Sequence, residues 1–187
     1  MLRVNDEMPD FEFDAFQKGQ IRKMRLSEYR GKWLVLMFYP ADFTFVCPTE
    51  LQDAAHHYEK FAEAGAEVVS MSTDTAYVHM AWHDNSPSIK AIKFPMGADP
   101  GGKISRAFGT YIEEDGLSTR ATFIIDPDGK VKLVEMHDNS IGRSSAEILR
   151  KLQAASYVRE HQGQVCPANW RPGDEAMTPG PGLVGKI

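Results

Sequence analysis

Hydrophobic and polar positions alternate at the start of the chain. "DFEFDAFQKGQIRKM" has the period of a half-buried strand, turns at Gly19 and resumes, which predicts a β-hairpin. "KWLVLMFYP" is almost continuously apolar, the pattern of a strand covered on both faces. From Pro48 the period changes to that of a helix, with Leu51, Ala55, Tyr58 and Ala62 on one face and a stop at Gly65. "AEVVSMST" predicts a second buried strand, and "TAYVHMAWH" a short helix. "FPMGAD" predicts a third strand, and "KISRAFG" a helix closed by Gly109. "ATFIIDPDGKVKLVEM" reads as two strands joined at "DPDG". The last helix opens on Ser144-x-x-Glu147, a capping box, and carries Ile148, Leu149, Leu152, Ala155 and Tyr157. Strands interleaved with helices, plus hairpins, give an α/β fold: a central mixed sheet flanked by helices.

After His161 the texture shifts. "GQVCPANWRPGDEAMTPGPGLVGKI" is rich in Pro and Gly and predicts an extended tail, although Trp170, Leu183 and Val184 are more apolar than a purely solvated end requires. The expected division is a domain over 1–160 and a tail over 161–187.

Composition narrows the function classes. The 187 residues suffice for one ordinary core, with 42% hydrophobic and 25% charged residues. A net charge of −5 argues against nucleic acid or an anionic membrane as the main partner. No apolar run reaches the length of a membrane span, and the first residues lack a signal-type apolar core, so a cytoplasmic protein is expected. The two cysteines, Cys47 and Cys166, form no framework of the secreted type and read as reactive thiols.

The chemistry concentrates in "YPADFTFVCPTE", residues 39 to 50. Pro48 suits the first turn of a helix, which places Cys47 at its N-terminus, where free amides and the macrodipole favour a thiolate. The loop leaves the carboxyl end of a buried strand, the usual edge for an active site in an open α/β sheet. Thr44 occupies the place that a Cys-x-x-Cys dithiol would fill with sulfur. The thiol therefore reacts with something other than a neighbouring sulfur, or finds its partner far along the chain. The histidine pair His56 and His57 lies at adjacent helical positions and points in different directions, which does not suggest a metal site.

Pro40-x-x-x-Thr44-x-x-Cys47 resembles the active-site motif of the typical two-cysteine peroxiredoxins, and within them the bacterial alkyl hydroperoxide reductase C group. "TRATFIIDPDGKV", "DNSIGRSSAEILRKLQA", "GQVCPANW" and the "LVGKI" ending extend the similarity over nearly the whole chain. The resemblance implies a thioredoxin-like fold and a peroxidase without cofactor or metal. Cys47 would attack a hydroperoxide and become a sulfenic acid. Pro40 would shield the loop, Thr44 would bond the peroxide oxygen, and Arg120 would stabilise thiolate and leaving oxygen. Glu50 and Arg143 match a pair that orients Arg120. Cys166 matches the resolving cysteine, which in this family forms a disulfide with the partner subunit. The family further implies a homodimer assembling into a ring of dimers, such as a decamer. Electrons would come from a flavoprotein disulfide reductase or a thioredoxin, and a holdase chaperone role is a possible second activity. "DPGGKISRAFG" is no dinucleotide loop. A thioredoxin-type disulfide carrier, the rival reading on the same fold, requires the Cys-x-x-Cys that Thr44 interrupts.

Overall fold

The computed structural model describes residues 1–186. The chain divides into two units, Met1–Ser145 and the remainder from Ala146.

The first unit is built on a mixed seven-stranded sheet. Strands β1 (Glu12–Gln17) and β2 (Gln20–Arg25) form the expected hairpin, turning through Lys18 (φ 51°) and Gly19 (φ 76°). Positive φ at both central residues matches the right-handed twist of the paired strands, as in a type I′ turn. The centre is β3 (Trp33–Phe38) beside β4 (Ala66–Ser72), which is parallel to it, with β5 (Met96–Ala98) parallel to β4. All six residues of β3 are buried, which is why the sequence there shows no alternation. Helix α1 (Cys47–Glu63) follows β3 and α2 (Ala76–Asn85) follows β4. Helix α3 (Lys103–Phe108) comes after β5, and then a two-stranded ribbon, β6 (Tyr111–Ile112) and β7 (Leu117–Ser118). The ribbon is too short for its pattern to be read from the sequence. β8 (Arg120–Ile125) and β9 (Val131–His137) complete the sheet, whose order is β2-β1-β5-β4-β3-β8-β9. Between them the Asp126 carboxylate accepts the amides of Asp128 and Lys130 and closes the "DPDG" turn. A core of Phe13, Leu36, Phe38, Phe108, Phe123 and their neighbours fills one side of the sheet.

One detail of α1 departs from the periodic reading. Its buried face carries Cys47, Glu50, Leu51, Ala54 and Phe61, whereas Ala62 is exposed. A face that begins at Cys47 is rotated from one anchored on Leu51 and Ala55, and it draws the polar Glu50 inward.

Topology brings four chain segments to one edge. β3 and β8 are antiparallel, with Phe38 opposite Ala121, so the loop after β3 and the start of β8 meet. β9 is antiparallel to β8, with His137 opposite Arg120, so the segment after β9 arrives there too. β4 runs parallel to β3 and delivers the start of α2 to the same edge.

The second unit holds α4 (Ser145–Glu160), whose first residue closes the first unit, and the segment behind it. That segment is non-helical apart from a 3-10 turn at Pro181–Leu183, but it is tied to its own helix. Arg150 donates to the Trp170 carbonyl at 2.9 Å, Tyr157 donates to Gln164 at 2.6 Å, and the rings of Tyr157 and Trp170 lie 4.7 Å apart. Val165 pairs with Met177 in an antiparallel bridge. Of the three apolar residues of this Pro- and Gly-rich stretch, Trp170 is buried, Leu183 is part-buried and Val184 is exposed.

Candidate active site

Cys47 is fully buried and is the first residue of α1, with Pro48 in the opening turn. Pro suits this turn because the amide it lacks would have no intrahelical partner. Val46 precedes the helix and offers no side-chain acceptor to the first-turn amides. The sulfur faces a guanidinium instead: Arg120 Nη1 lies 3.4 Å from Cys47 Sγ. The same nitrogen donates to Glu50 Oε2 at 2.6 Å, and Arg120 Nε donates to the Asn139 carbonyl at 2.9 Å.

Arg143 grips the Glu50 carboxylate from the other side. Its Nε donates to Oε1 at 2.8 Å, its backbone amide to Oε1 at 2.9 Å, and its Nη2 to Oε2 at 3.1 Å. The remaining fork nitrogen, Nη1, donates to the Ala121 carbonyl and to Thr122 Oγ1. Arg120, Arg143 and Glu50 are all buried. Burial pushes the Glu50 carboxyl up, but the Arg143 bonds and charge, joined by the charge of Arg120, more than offset this and hold it below the usual carboxylate range. Two guanidinium groups thus share one carboxylate, and one positive charge is left over beside the sulfur. A buried cation without a counter-charge is costly, and negative charge that develops next to it would offset that cost.

The loop between β3 and α1 has its own support. Pro40 is buried. Thr44 Oγ1 donates to the Ala41 carbonyl at 2.8 Å, which leaves its lone pairs free to accept a hydrogen bond. Phe43 holds a left-handed backbone (φ 55°) and exposes its ring, as does Phe45. Cys47, Arg120, Glu50 and Arg143 are therefore assembled in one cluster, with Thr44 and Pro40 on the loop that leads into it. Cys166 belongs to the second unit, where it is a half-buried free thiol whose Sγ lies 3.8 Å from the Ala154 carbonyl.

Two features escape the sequence reading. Asn139 holds Arg120 twice, through its carbonyl and through Oδ1, which accepts the Arg120 amide at 3.2 Å. The second is a buried network beneath the loop. Asp42 accepts from Tyr39 Oη at 2.7 Å and lies 2.7 Å from His79 Nδ1, while His79 Nε2 lies 3.0 Å from the Gly97 carbonyl. Burial pushes the Asp42 carboxyl up, with His79 opposing. The signal for His79 was its position between Ala76 and Trp82 on the buried face of α2, where a polar side chain needs a partner.

Comparison with known proteins gives the family and the fold. Residues 4–134 match the AhpC/TSA family, and residues 154–181 match the C-terminal domain of 1-Cys peroxiredoxin. The chain is 45% identical over 187 residues to the alkyl hydroperoxide reductase C of Pseudomonas aeruginosa and 44% identical to that of Escherichia coli, with both partners covered in full. Its structure is similar to the crystal structure of Enterococcus faecalis AhpC, with a TM-score of 0.86 and 46% identity over 89% of this chain and all of that one. It is also similar to a reduced 2-Cys peroxiredoxin of Plasmodium vivax, with a TM-score of 0.88 and 34% identity over 93% of this chain and 92% of that one. Among the described residues no helix is long and apolar enough to cross a membrane. The chain belongs to the AhpC/TSA family, the peroxiredoxins.

Proposed function

We propose that this protein is a thiol-dependent peroxidase that reduces hydrogen peroxide and alkyl hydroperoxides at Cys47. The observation that carries this reading is the single Arg120 nitrogen shared between Cys47 Sγ and the Glu50 carboxylate, at 3.4 and 2.6 Å. The Cys47 thiolate attacks the terminal peroxide oxygen, the O–O bond breaks, and the departing oxygen takes a proton and leaves as an alcohol or water. Cys47 is then a sulfenic acid. Negative charge moves from sulfur to the leaving oxygen during this step, and the uncompensated positive charge of the arginine pair lies where it is needed. Thr44, whose hydroxyl hydrogen points to Ala41, accepts the hydroperoxide O–H and orients it. Buried Pro40 keeps water from the sulfur.

Cys166 of the partner subunit then condenses with the sulfenic acid, releasing water and forming an intersubunit disulfide. A disulfide needs Cα atoms within about 7 Å, so the first turn of α1 unwinds to expose the buried Cys47. The subunits work as a homodimer within a ring of dimers, in the cytoplasm. A separate dithiol protein, a flavoprotein disulfide reductase or a thioredoxin, returns the two electrons. The test is peroxide consumption with a small dithiol as electron source. Wild-type protein should turn over and Cys47→Ser should not; turnover that survives loss of Cys47 would refute this reading.

A further inference from the structure

Arg120 is a long side chain asked to point one N–H at sulfur. A planar guanidinium held at one nitrogen still swings about that contact. Held at two, its plane is fixed. Arg120 Nη1 is held by Glu50 and Nε by the Asn139 carbonyl, at 2.6 and 2.9 Å. The Glu50 end is secured by the full grip of Arg143. The other end depends on where the Asn139 carbonyl sits, and Asn139 lies in a surface segment whose neighbours Asp138, Ser140 and Ile141 are exposed.

The Asn139 side chain supplies the missing anchor. Its Oδ1 accepts the Arg120 backbone amide at 3.2 Å and shares the one Thr119 hydroxyl hydrogen, at 3.3 Å, with the His137 carbonyl at 3.2 Å. Asn139 therefore grips the backbone of Arg120 with its side chain and the guanidinium of Arg120 with its backbone. The segment also turns at Asp138, whose carboxylate takes the Ser140 amide at 2.8 Å, and its far end is fixed where Arg143 meets Glu50. One short segment, 138 to 143, so carries both the carbonyl that fixes Arg120 and the arginine that fixes Glu50.

We infer that Asn139 is a positioning residue for the peroxidase reaction: through the Arg120 amide and the Thr119 hydroxyl it sets the carbonyl that locks the Arg120 guanidinium plane toward Cys47. The inference rests on the peroxidase reading above. Removing the side chain cuts the segment's direct tie to the Arg120 backbone and leaves the carbonyl to be placed by the Asp138 turn and the Arg143 end alone. The guanidinium then swings away from sulfur for part of the time, and both the thiolate and the charge on the leaving oxygen lose their partner.

The test compares wild type, Asn139→Ala and the milder Asn139→Ser, which keeps a hydroxyl acceptor. Each is made in the wild-type and in the Arg120→Ala background. Asn139→Ala should slow oxidation of Cys47 by hydrogen peroxide by on the order of tenfold. It should also move the pH profile of Cys47 alkylation to higher pH, while the thermal midpoint stays near wild type. Asn139→Ser should fall between the two. In the Arg120→Ala background Asn139→Ala should have no further effect, because the residue it positions is gone. The same tenfold loss in that background, or a rate loss with an unmoved pH profile, overturns the positioning role. So does wild-type behaviour of Asn139→Ala in a protein that otherwise consumes peroxide. A wild-type protein that does not consume peroxide refutes the peroxidase reading instead, which keeps the two failures distinct.

Discussion

The two cysteines sit in opposite kinds of surroundings. Cys47 is fully buried at a helix N-terminus, and its sulfur faces a donor, the Arg120 guanidinium at 3.4 Å. Cys166 is half-buried beyond the end of α4, and its thiol donates to an acceptor, the Ala154 carbonyl at 3.8 Å from Sγ. A donor at sulfur favours the anion, whereas an acceptor favours retention of the S–H proton. At Cys166 burial pushes the thiol up and the Arg150 charge only partly pulls it back. The contrast suits a division of labour. In the proposed reaction the first thiol attacks the peroxide and the second resolves the product.

The largest effects should come from exchanging the sulfurs for oxygen. Cys47→Ser should abolish reaction with peroxide and the covalent dimer. Cys166→Ser should keep the first oxidation at its full rate and lose only the dimer band on a non-reducing gel. An oxidised wild type that runs as a monomer with both thiols consumed would mean an intrachain bond and break the proposed division.

Next in size is the donor at Cys47. Arg120→Ala should slow thiolate oxidation by about 10²- to 10³-fold in stopped-flow measurements with hydrogen peroxide. Thr44→Val keeps the shape and removes the acceptor, and it should cost on the order of a hundredfold or less. Near wild-type rates for both would show that the polar surroundings of Cys47 are packing and nothing more.

The carboxylate that holds this cluster predicts a pH response. Glu50 titrates below its ordinary value near 4.5 in the folded protein. Its contribution to stability is therefore complete above pH 4.5 and is lost as pH falls through the lower, folded value. Glu50→Gln should flatten that acid loss and, by leaving two buried arginines without their carboxylate, cost about 3–5 kcal/mol at neutral pH. Chemical denaturation at pH 7 and pH 4 would check it. A variant as stable as wild type at pH 7 would argue that the arginines find other partners.

Much of this arrangement was legible in the chain. The buried strands announced themselves as unbroken apolar runs, and Pro48 placed Cys47 at a helix start. The hairpin at Gly19 and the turn at "DPDG" followed from residues that tolerate or build tight turns. Arg120, Glu50 and Arg143 came through the family motif rather than through periodicity, because no local pattern links positions 50, 120 and 143. Their meeting is a property of strand register, with Phe38 opposite Ala121. Asn139 was illegible for a related reason: half of its contact to Arg120 is a backbone carbonyl, which any residue supplies. The second unit was under-read, since a Pro- and Gly-rich composition hides the bonds that tie Trp170 and Gln164 to α4.

The smallest expected effect lies at Cys166 and sharpens the comparison from its weaker side. The Arg150 charge pulls Cys166 toward the thiolate against the effect of burial, while its fork holds Glu147 through two bonds of 2.8 Å and the Trp170 carbonyl at 2.9 Å. Because the thiol titrates above its ordinary value, the rate at which Cys166 resolves the sulfenic acid should keep rising with pH through the free-thiol range near 8.5 to 9. Arg150→Gln removes the charge and should move that rise to still higher pH, slowing resolution near pH 7 by about two- to threefold, since solvent reaches and screens this half-buried pair. Arg150→Lys keeps the charge, loses the fork and should resolve at nearly the wild-type rate. The measurement is disulfide formation after a single pulse of peroxide, quenched with an alkylating agent across the pH range. Faster resolution in Arg150→Gln, or an equal loss in both variants, would show that the fork's hold on Trp170 sets the rate and the charge does not.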